Sequence, residues 1–165
     1  MLINGKTRIC AIIGDPVEHS LSPVMHNAAF KELGLNLVYT AFTVNARDLK
    51  TAILGLKSLG ILGLNITMPH KNAVTKYLDE LDVIAKTINA VNTVVNKQGK
   101  LIGYNTDGMG IMYALKENHV YPENKKLVLL GAGGAAKAIA YQVSKNVNEL
   151  VILNRSLDKA KKLVE

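Results

Sequence analysis

Short apolar runs that close on glycine or a polar turn, each followed by a stretch with helical spacing, restrict the fold of this chain more than any other feature. Ile9 to Ile13 closes on Gly14-Asp15-Pro16, and Leu37 to Val44, Ile61 to Ile66, Leu127 to Leu130 and Leu150 to Leu153 follow the same plan. Between them, Ser22 is expected as an N-cap and Pro23 as the first residue of a helix to about Leu33, stopped by Gly34. Asn45 is expected to cap a helix carrying Leu49, Ile53, Leu56 and Leu59, ended by Gly60. Pro69 suits the first turn of a short helix, and a second short helix is expected around Asp82 to Ile88. Val91 to Asn96 and Leu101 to Tyr104 read as strands, joined by Lys97-Gln98-Gly99-Lys100 as a hairpin. Further helices are expected over Gly108 to about Asn118, over Gly134 to Val147 and from Leu157 onward. The alternation predicts an α/β fold, with a mostly parallel sheet carrying helices on both faces. His119 to Lys125, polar and without periodicity, is the expected domain boundary.

The 165 residues are 48% hydrophobic, enough to bury a core. A net charge of +7 and a pI near 9.5 favour an anionic partner. With two phenylalanines, six tyrosines, no tryptophan and no arginine-rich tract, nucleic acid is a poor candidate. A phosphate-bearing cofactor and a carboxylate substrate explain the charge as well. Cys10, the one cysteine, lies in an apolar run and reads as a small core residue, which excludes a disulfide framework and a cysteine metal site. His19, His26, His70 and His119 lack metal-ligand spacing. No signal-peptide core and no run of transmembrane length is present, so a soluble, cytoplasmic protein is expected.

Ligands in open α/β sheets bind outside the carboxyl ends of the parallel strands. Ser20 and Ser22 follow the first strand, and Asn65, Thr67 and Lys71 follow the third. If the second hairpin strand is parallel to these, the first is antiparallel. Asn92, just before the hairpin, and Asn105, Thr106 and Asp107, just after it, then share the same edge. Each of these residue types is common in turns and caps. Their coincidence on one rim points to a small, polyhydroxylated, anionic molecule. A lysine partly withdrawn from water at such a place suits proton transfer.

A second site is Gly131-Ala132-Gly133-Gly134-Ala135-Ala136, which follows an apolar strand and opens a helix. That is the setting of the dinucleotide fingerprint. Gly131 permits a tight turn, Gly133 lets backbone approach a pyrophosphate, and Ala136 allows close helix–strand packing, with helix N–H groups facing the anion. Asn154-Arg155-Ser156 stands where an NAD enzyme usually carries an acid. An arginine there favours the 2′-phosphate of NADP, with Ser156 and Lys159 nearby.

Ser20-Leu-Ser-Pro-Val-Met-His-Asn27, Asn65-Ile-Thr-Met-Pro-His-Lys71, Asn89-Ala-Val-Asn-Thr-Val94, Gly103-Tyr-Asn-Thr-Asp-Gly108, the glycine turn and Asn154-Arg-Ser156 resemble, in order and spacing, the shikimate dehydrogenase family. The resemblance implies a substrate-binding domain over residues 1–118 and the first part of an NADP-binding Rossmann domain over 126–165. It implies reversible reduction of 3-dehydroshikimate to shikimate, on the route to chorismate and aromatic amino acids. Lys71 and Asp107 would be the catalytic pair, and Ser20, Ser22, Thr67, Lys71, Asn92 and Asp107 would touch substrate. Gly131, Ala132, Gly133, Gly134, Ala135, Ala136, Asn154, Arg155, Ser156 and Lys159 would hold NADP. The family pattern continues past Glu165 with the rest of the cofactor domain, so the chain alone is expected to be an incomplete dehydrogenase. A quinate/shikimate dehydrogenase of broader specificity and a non-catalytic metabolite-binding fragment are the alternatives. The expected partner is a small-molecule substrate, with neither nucleic acid nor membrane, and a homodimer is compatible with the pattern.

Overall fold

The computed structural model describes residues 3–164. In chain order the elements are β1 (Arg8–Gly14), α1 (Ser22–Glu32), β2 (Leu37–Thr43), a 3-10 helix Ala46–Asp48 running into α2 (Leu49–Ser58), β3 (Gly63–Ile66) and a 3-10 helix Ala73–Tyr77. They continue with β4 (Glu80–Leu81), α3 (Val83–Ile88), β5 (Thr93–Lys97), β6 (Lys100–Tyr104), α4 (Asp107–Glu117), β7 (Lys126–Leu130), α5 (Gly134–Val143), β8 (Glu149–Leu153) and α6 (Leu157–Val164). The first six strands form one sheet in the order β2-β1-β3-β5-β6-β4, and β7 and β8 pair in a second, parallel sheet. β5 is antiparallel to both its neighbours, while the other pairings are parallel. The residues leading into β5 therefore lie on the same edge as those that leave β1, β3 and β6.

One face of the large sheet is closed by α2. Its Leu49, Ile53 and Leu56 recur at helical spacing and are buried against Ala11, Ile13, Leu64, Ile66 and Val94. Each such side chain contributes about 1.5–3 kcal/mol of burial. The other face is covered over β1 and β2 by α1, which has no buried residue of its own. Its sequence lacks an apolar stripe, and a polar clamp substitutes. The Asn27 side chain donates to the Tyr39 carbonyl at 2.8 Å and accepts from the Tyr39 N–H at 2.9 Å, taking the place of a neighbouring strand.

Several local expectations are corrected. Ser22 is the first residue of α1, not its N-cap, and Pro23 follows it; Leu21 occupies the cap position. The Ser22 N–H donates instead to Ser20 Oγ at 3.2 Å. Pro69 opens no helix. It sits in a turn closed by the His70 N–H on the Thr67 carbonyl, after a cis Met68-Pro69 bond, and the 3-10 helix begins only at Ala73. Asn45 precedes a 3-10 turn without a side-chain cap, and α2 starts three residues later than that cap implies, at Leu49. α5 ends at Val143, short of Val147, and the two-residue β4 was not expected. The hairpin forms as read, with Gln98 and Gly99 both at positive φ, as a two-residue turn matched to strand twist requires.

Gly14 is the tightest point near the rim. A Cβ there would lie 2.4 Å from Thr67 Cγ2 and 2.9 Å from the Met68 carbonyl oxygen. Gly14→Ala is expected to destabilise the fold by about 1–3 kcal/mol, as overpacking does, and urea unfolding monitored by circular dichroism measures it.

Candidate active site

The turn after β3 crosses the end of β1. The Thr67 N–H donates to the Ile13 carbonyl at 3.0 Å and the Asp15 N–H to the Met68 carbonyl at 2.9 Å. His70 is 1% exposed, and its Nε2 donates to the Val44 carbonyl at 2.6 Å, so it anchors this turn from below. The next residue is Lys71, whose carbonyl accepts the Val91 N–H at 2.7 Å. The backbone that carries Lys71 is thus stitched to the entry of β5.

At that entry Asn92 and, across from it, Asp107 complete a polar cluster. Lys71 Nζ lies 2.6 Å from Asp107 Oδ2, with both side chains about four-fifths withdrawn from water. Asn92 Nδ2 donates to Asp107 Oδ1 at 2.6 Å. Asp107 begins α4, where a negative charge is favoured, and its N–H donates to Asn105 Oδ1 at 3.0 Å. Asn105 is itself buried and donates to the Ala90 carbonyl. Both carboxylate oxygens are engaged, so the lysine faces a fixed anion.

The cluster extends across the sheet. Asn92 Oδ1 accepts from the Thr106 N–H and from Thr93 Oγ1, each at 3.0 Å. Thr93 Oγ1 accepts from Asn65 Nδ2 at 3.2 Å, and Asn65 Oδ1 accepts from the Tyr39 hydroxyl at 2.6 Å. Burial pushes the Tyr39 phenol up to about 12, the neighbouring Cys10 adds to this, and a hydrogen bond with Ser22 opposes it. The Ser22 N–H donates to Ser20 Oγ at 3.2 Å, which ties the two serines together. Thr67 turns its methyl towards Gly14. Sequence reasoning missed Tyr39 and Thr93. Both are mid-strand positions with ordinary strand residue types, and only the alternation that puts Tyr39, Asn65 and Thr93 on one face could have signalled them.

The glycine turn sits close by. Gly131 has φ of +110°, which a side chain would strain, and its N–H donates to the Leu153 carbonyl at 2.7 Å. Gly133 precedes α5 with no side-chain cap, and a Cβ at Gly131 or Gly133 would meet nothing within 4 Å. The first N–H groups of α5 thus face an open cradle that suits a pyrophosphate. Gly134 lies against Lys71, with a Cβ there reaching 3.4 Å from Lys71 Cδ. Ala136 is buried, Asn154 Nδ2 donates to the Ser156 carbonyl at 2.7 Å, and Ala132 is half-buried. Ala135, Arg155 and Lys159 are exposed. Among the described residues no cluster of side chains could hold a metal, and no helix is long and apolar enough to cross a membrane.

The family profile for the shikimate dehydrogenase substrate binding domain matches residues 12–94, and that for shikimate / quinate 5-dehydrogenase matches residues 114–165. The chain belongs to the shikimate dehydrogenase family. It is 52% identical over 164 residues to the NADP(+) shikimate dehydrogenase of Methanocaldococcus jannaschii, covering 99% of this chain and 58% of that protein. It is 54% identical over 162 residues to that of Pyrococcus furiosus, covering 98% and 59%. A crystal structure of a shikimate dehydrogenase in complex with NADP+ superposes with a TM-score of 0.95 at 52% identity, over 98% of this chain and 56% of that one. The chain thus spans under three fifths of the length of these relatives. Against this shikimate dehydrogenase fold, the Lys71–Asp107 contact and the glycine turn lie side by side.

Alkaline titration checks the polar line. Absorbance near 295 nm should show one of the six tyrosines ionising near pH 12, above the ordinary value of 10, and Tyr39→Phe should remove that step. Folding favours the neutral phenol, so its contribution to stability is complete below about pH 10 and is lost as pH rises through about 12.

Proposed function

We propose that this chain carries the substrate-binding domain, over residues 1–118, and the first part of the NADP-binding domain, over residues 126–165, of an NADP-dependent shikimate dehydrogenase. The observation that carries the reading is the Lys71–Asp107 contact of 2.6 Å, braced by Asn92, directly beside the glycine turn. The family and the relatives' names point the same way. The reaction is reversible reduction of 3-dehydroshikimate to shikimate, in aromatic amino acid biosynthesis in the cytoplasm. Light scattering would test the homodimer kept with this reading.

Bound at the glycine turn, NADPH would supply a hydride for the carbonyl carbon of the substrate. The charge that then develops on the carbonyl oxygen needs a proton, which Lys71 Nζ gives, and in oxidation Lys71 takes it back. Asp107 holds the lysine in place, and its carboxylate also accepts a substrate hydroxyl. Asn92 keeps that carboxylate from rotating. Ser20, Ser22 and Thr67 bind the substrate carboxylate and hydroxyls, and none has an adjacent base to make it a nucleophile. The open end of α5 and residues 131–136 receive the pyrophosphate, and Asn154, Arg155, Ser156 and Lys159 the ribose phosphate.

The assay uses the chain extended with the remaining part of the Pyrococcus furiosus relative, following NADP-linked oxidation of shikimate and of quinate. Lys71→Ala should lower kcat by about 10²-fold or more, as loss of an acid–base group does. Retained kcat with a raised KM would move Lys71 to a binding role. Arg155→Ala should weaken NADP binding far more than NAD binding, because only NADP offers a phosphate to the guanidinium. Equal oxidation of quinate would favour the broader dehydrogenase, and shikimate binding without turnover a metabolite-binding protein.

A further inference from the structure

We infer that Tyr39 is a positioning residue for the Lys71–Asp107 pair, acting through Asn65, Thr93 and Asn92. The inference rests on the dehydrogenase reading for its kinetic consequence, and on geometry for the rest. Tyr39 lies on the edge strand β2, and Asn65 on β3 and Thr93 on β5 are direct register partners. Their side chains share one face of the sheet, and the phenol spans the width of β1 to reach Asn65.

The phenol is the tether at the β2 end of a directed line of hydrogen bonds. The orientation of a side-chain amide is fixed by neighbours that can only donate or only accept: the Asn92 carbonyl for Asn65, and the Thr106 N–H and Asp107 carboxylate for Asn92. The Tyr39 hydroxyl donates to Asn65 Oδ1 at 2.6 Å, and Asn65 Nδ2 donates to Thr93 Oγ1 at 3.2 Å and to the Asn92 carbonyl at 3.4 Å. Thr93 Oγ1, already accepting, directs its own proton to Asn92 Oδ1 at 3.0 Å. Asn92 Nδ2 donates to Asp107 Oδ1 at 2.6 Å, while Asp107 Oδ2 receives Lys71. Every bond donates in the same sense from β2 to the carboxylate. Without the hydroxyl, Asn65 Oδ1 loses its donor and the amide its tether to β2, so the hold of Asn65 and Thr93 on Asn92 Oδ1 loosens.

The phenol itself is held still. Its backbone is clamped by Asn27 on both N–H and carbonyl. The His26 ring stacks on it at 4.3 Å between centroids and 14° between planes. A residue kept only to fill space could equally be phenylalanine, and the hydroxyl is the difference the relay uses. Asn92 Oδ1 keeps the Thr106 N–H as a second donor, so the effect is partial.

Tyr39→Phe in the extended protein should lower kcat for shikimate oxidation about five- to tenfold, a share of a polar network rather than its whole. KM and melting temperature should change little. Thr93→Val should give a similar loss, and the double variant should lose no more than either single one, since both cut one line. In the 165-residue chain itself, Tyr39→Phe should shift the side-chain amide resonances of Asn65 and Asn92 in a ¹H–¹⁵N spectrum. Unchanged kcat, a change confined to KM, or losses that multiply in the double variant would overturn the inference. So would an Asn92 resonance that does not move. If the unmutated extended protein oxidises no shikimate, the dehydrogenase reading fails, and the Asn92 resonance alone then decides whether Tyr39 positions the pair.

Discussion

A carboxylate withdrawn from water is tolerated only when its oxygens are paired, and Asp107 is the point where this structure meets that demand. One oxygen takes the Lys71 ammonium and the other the Asn92 amide, while the residue's own N–H goes to Asn105. Those partners come from separate stretches of chain: the turn after β3, the approach to β5, and the exit from β6 into α4. The backbone bond between Lys71 and Val91 draws two of them together. Remove the carboxylate and a buried cation, an amide and a helix start lose their common partner.

The same residue ties the large sheet to the small one. Asp107 starts α4, and Gly108 lets α4 approach α5 so closely that a Cβ would lie 2.7 Å from the Ala138 carbonyl oxygen. Ile88, Ala90 and Ala138 form a small apolar core behind that contact. The first residue of α5 then rests on Lys71. The glycine turn and the Lys71–Asp107 pair are adjacent because α4 begins where it packs against the middle of α5.

The sequence makes part of this legible. Lys71, Asn92 and Asp107 follow or precede apolar runs, and one inference about hairpin direction puts all three on a single rim. That reading needs only period and topology, both of which survive in the chain order. Tyr39 is different. As a mid-strand tyrosine it reads as core, and what distinguishes it is a partner twenty-six positions away on a strand that is not its neighbour. Pro69 fails for a related reason, since its propensity for helix starts is overruled by the bonds that fasten the turn to β1. β4 has two residues, one of them glutamate, and exists because β6 offers it an edge. Where local preference and long-range bonding agree, the chain can be read directly, and where they conflict only the assembled fold decides.

The clamp on β2 has a further consequence. A border strand offers its outward-facing amides and carbonyls to any passing chain, and sheets grow or fuse by that route. At Tyr39 both groups are already taken by Asn27, so the border is occupied at its middle by a side chain that cannot itself extend the ladder. The protein protects this margin against self-association without spending a proline, a bulge or a surface charge on it. The same amide that steadies the tyrosine denies other molecules a template.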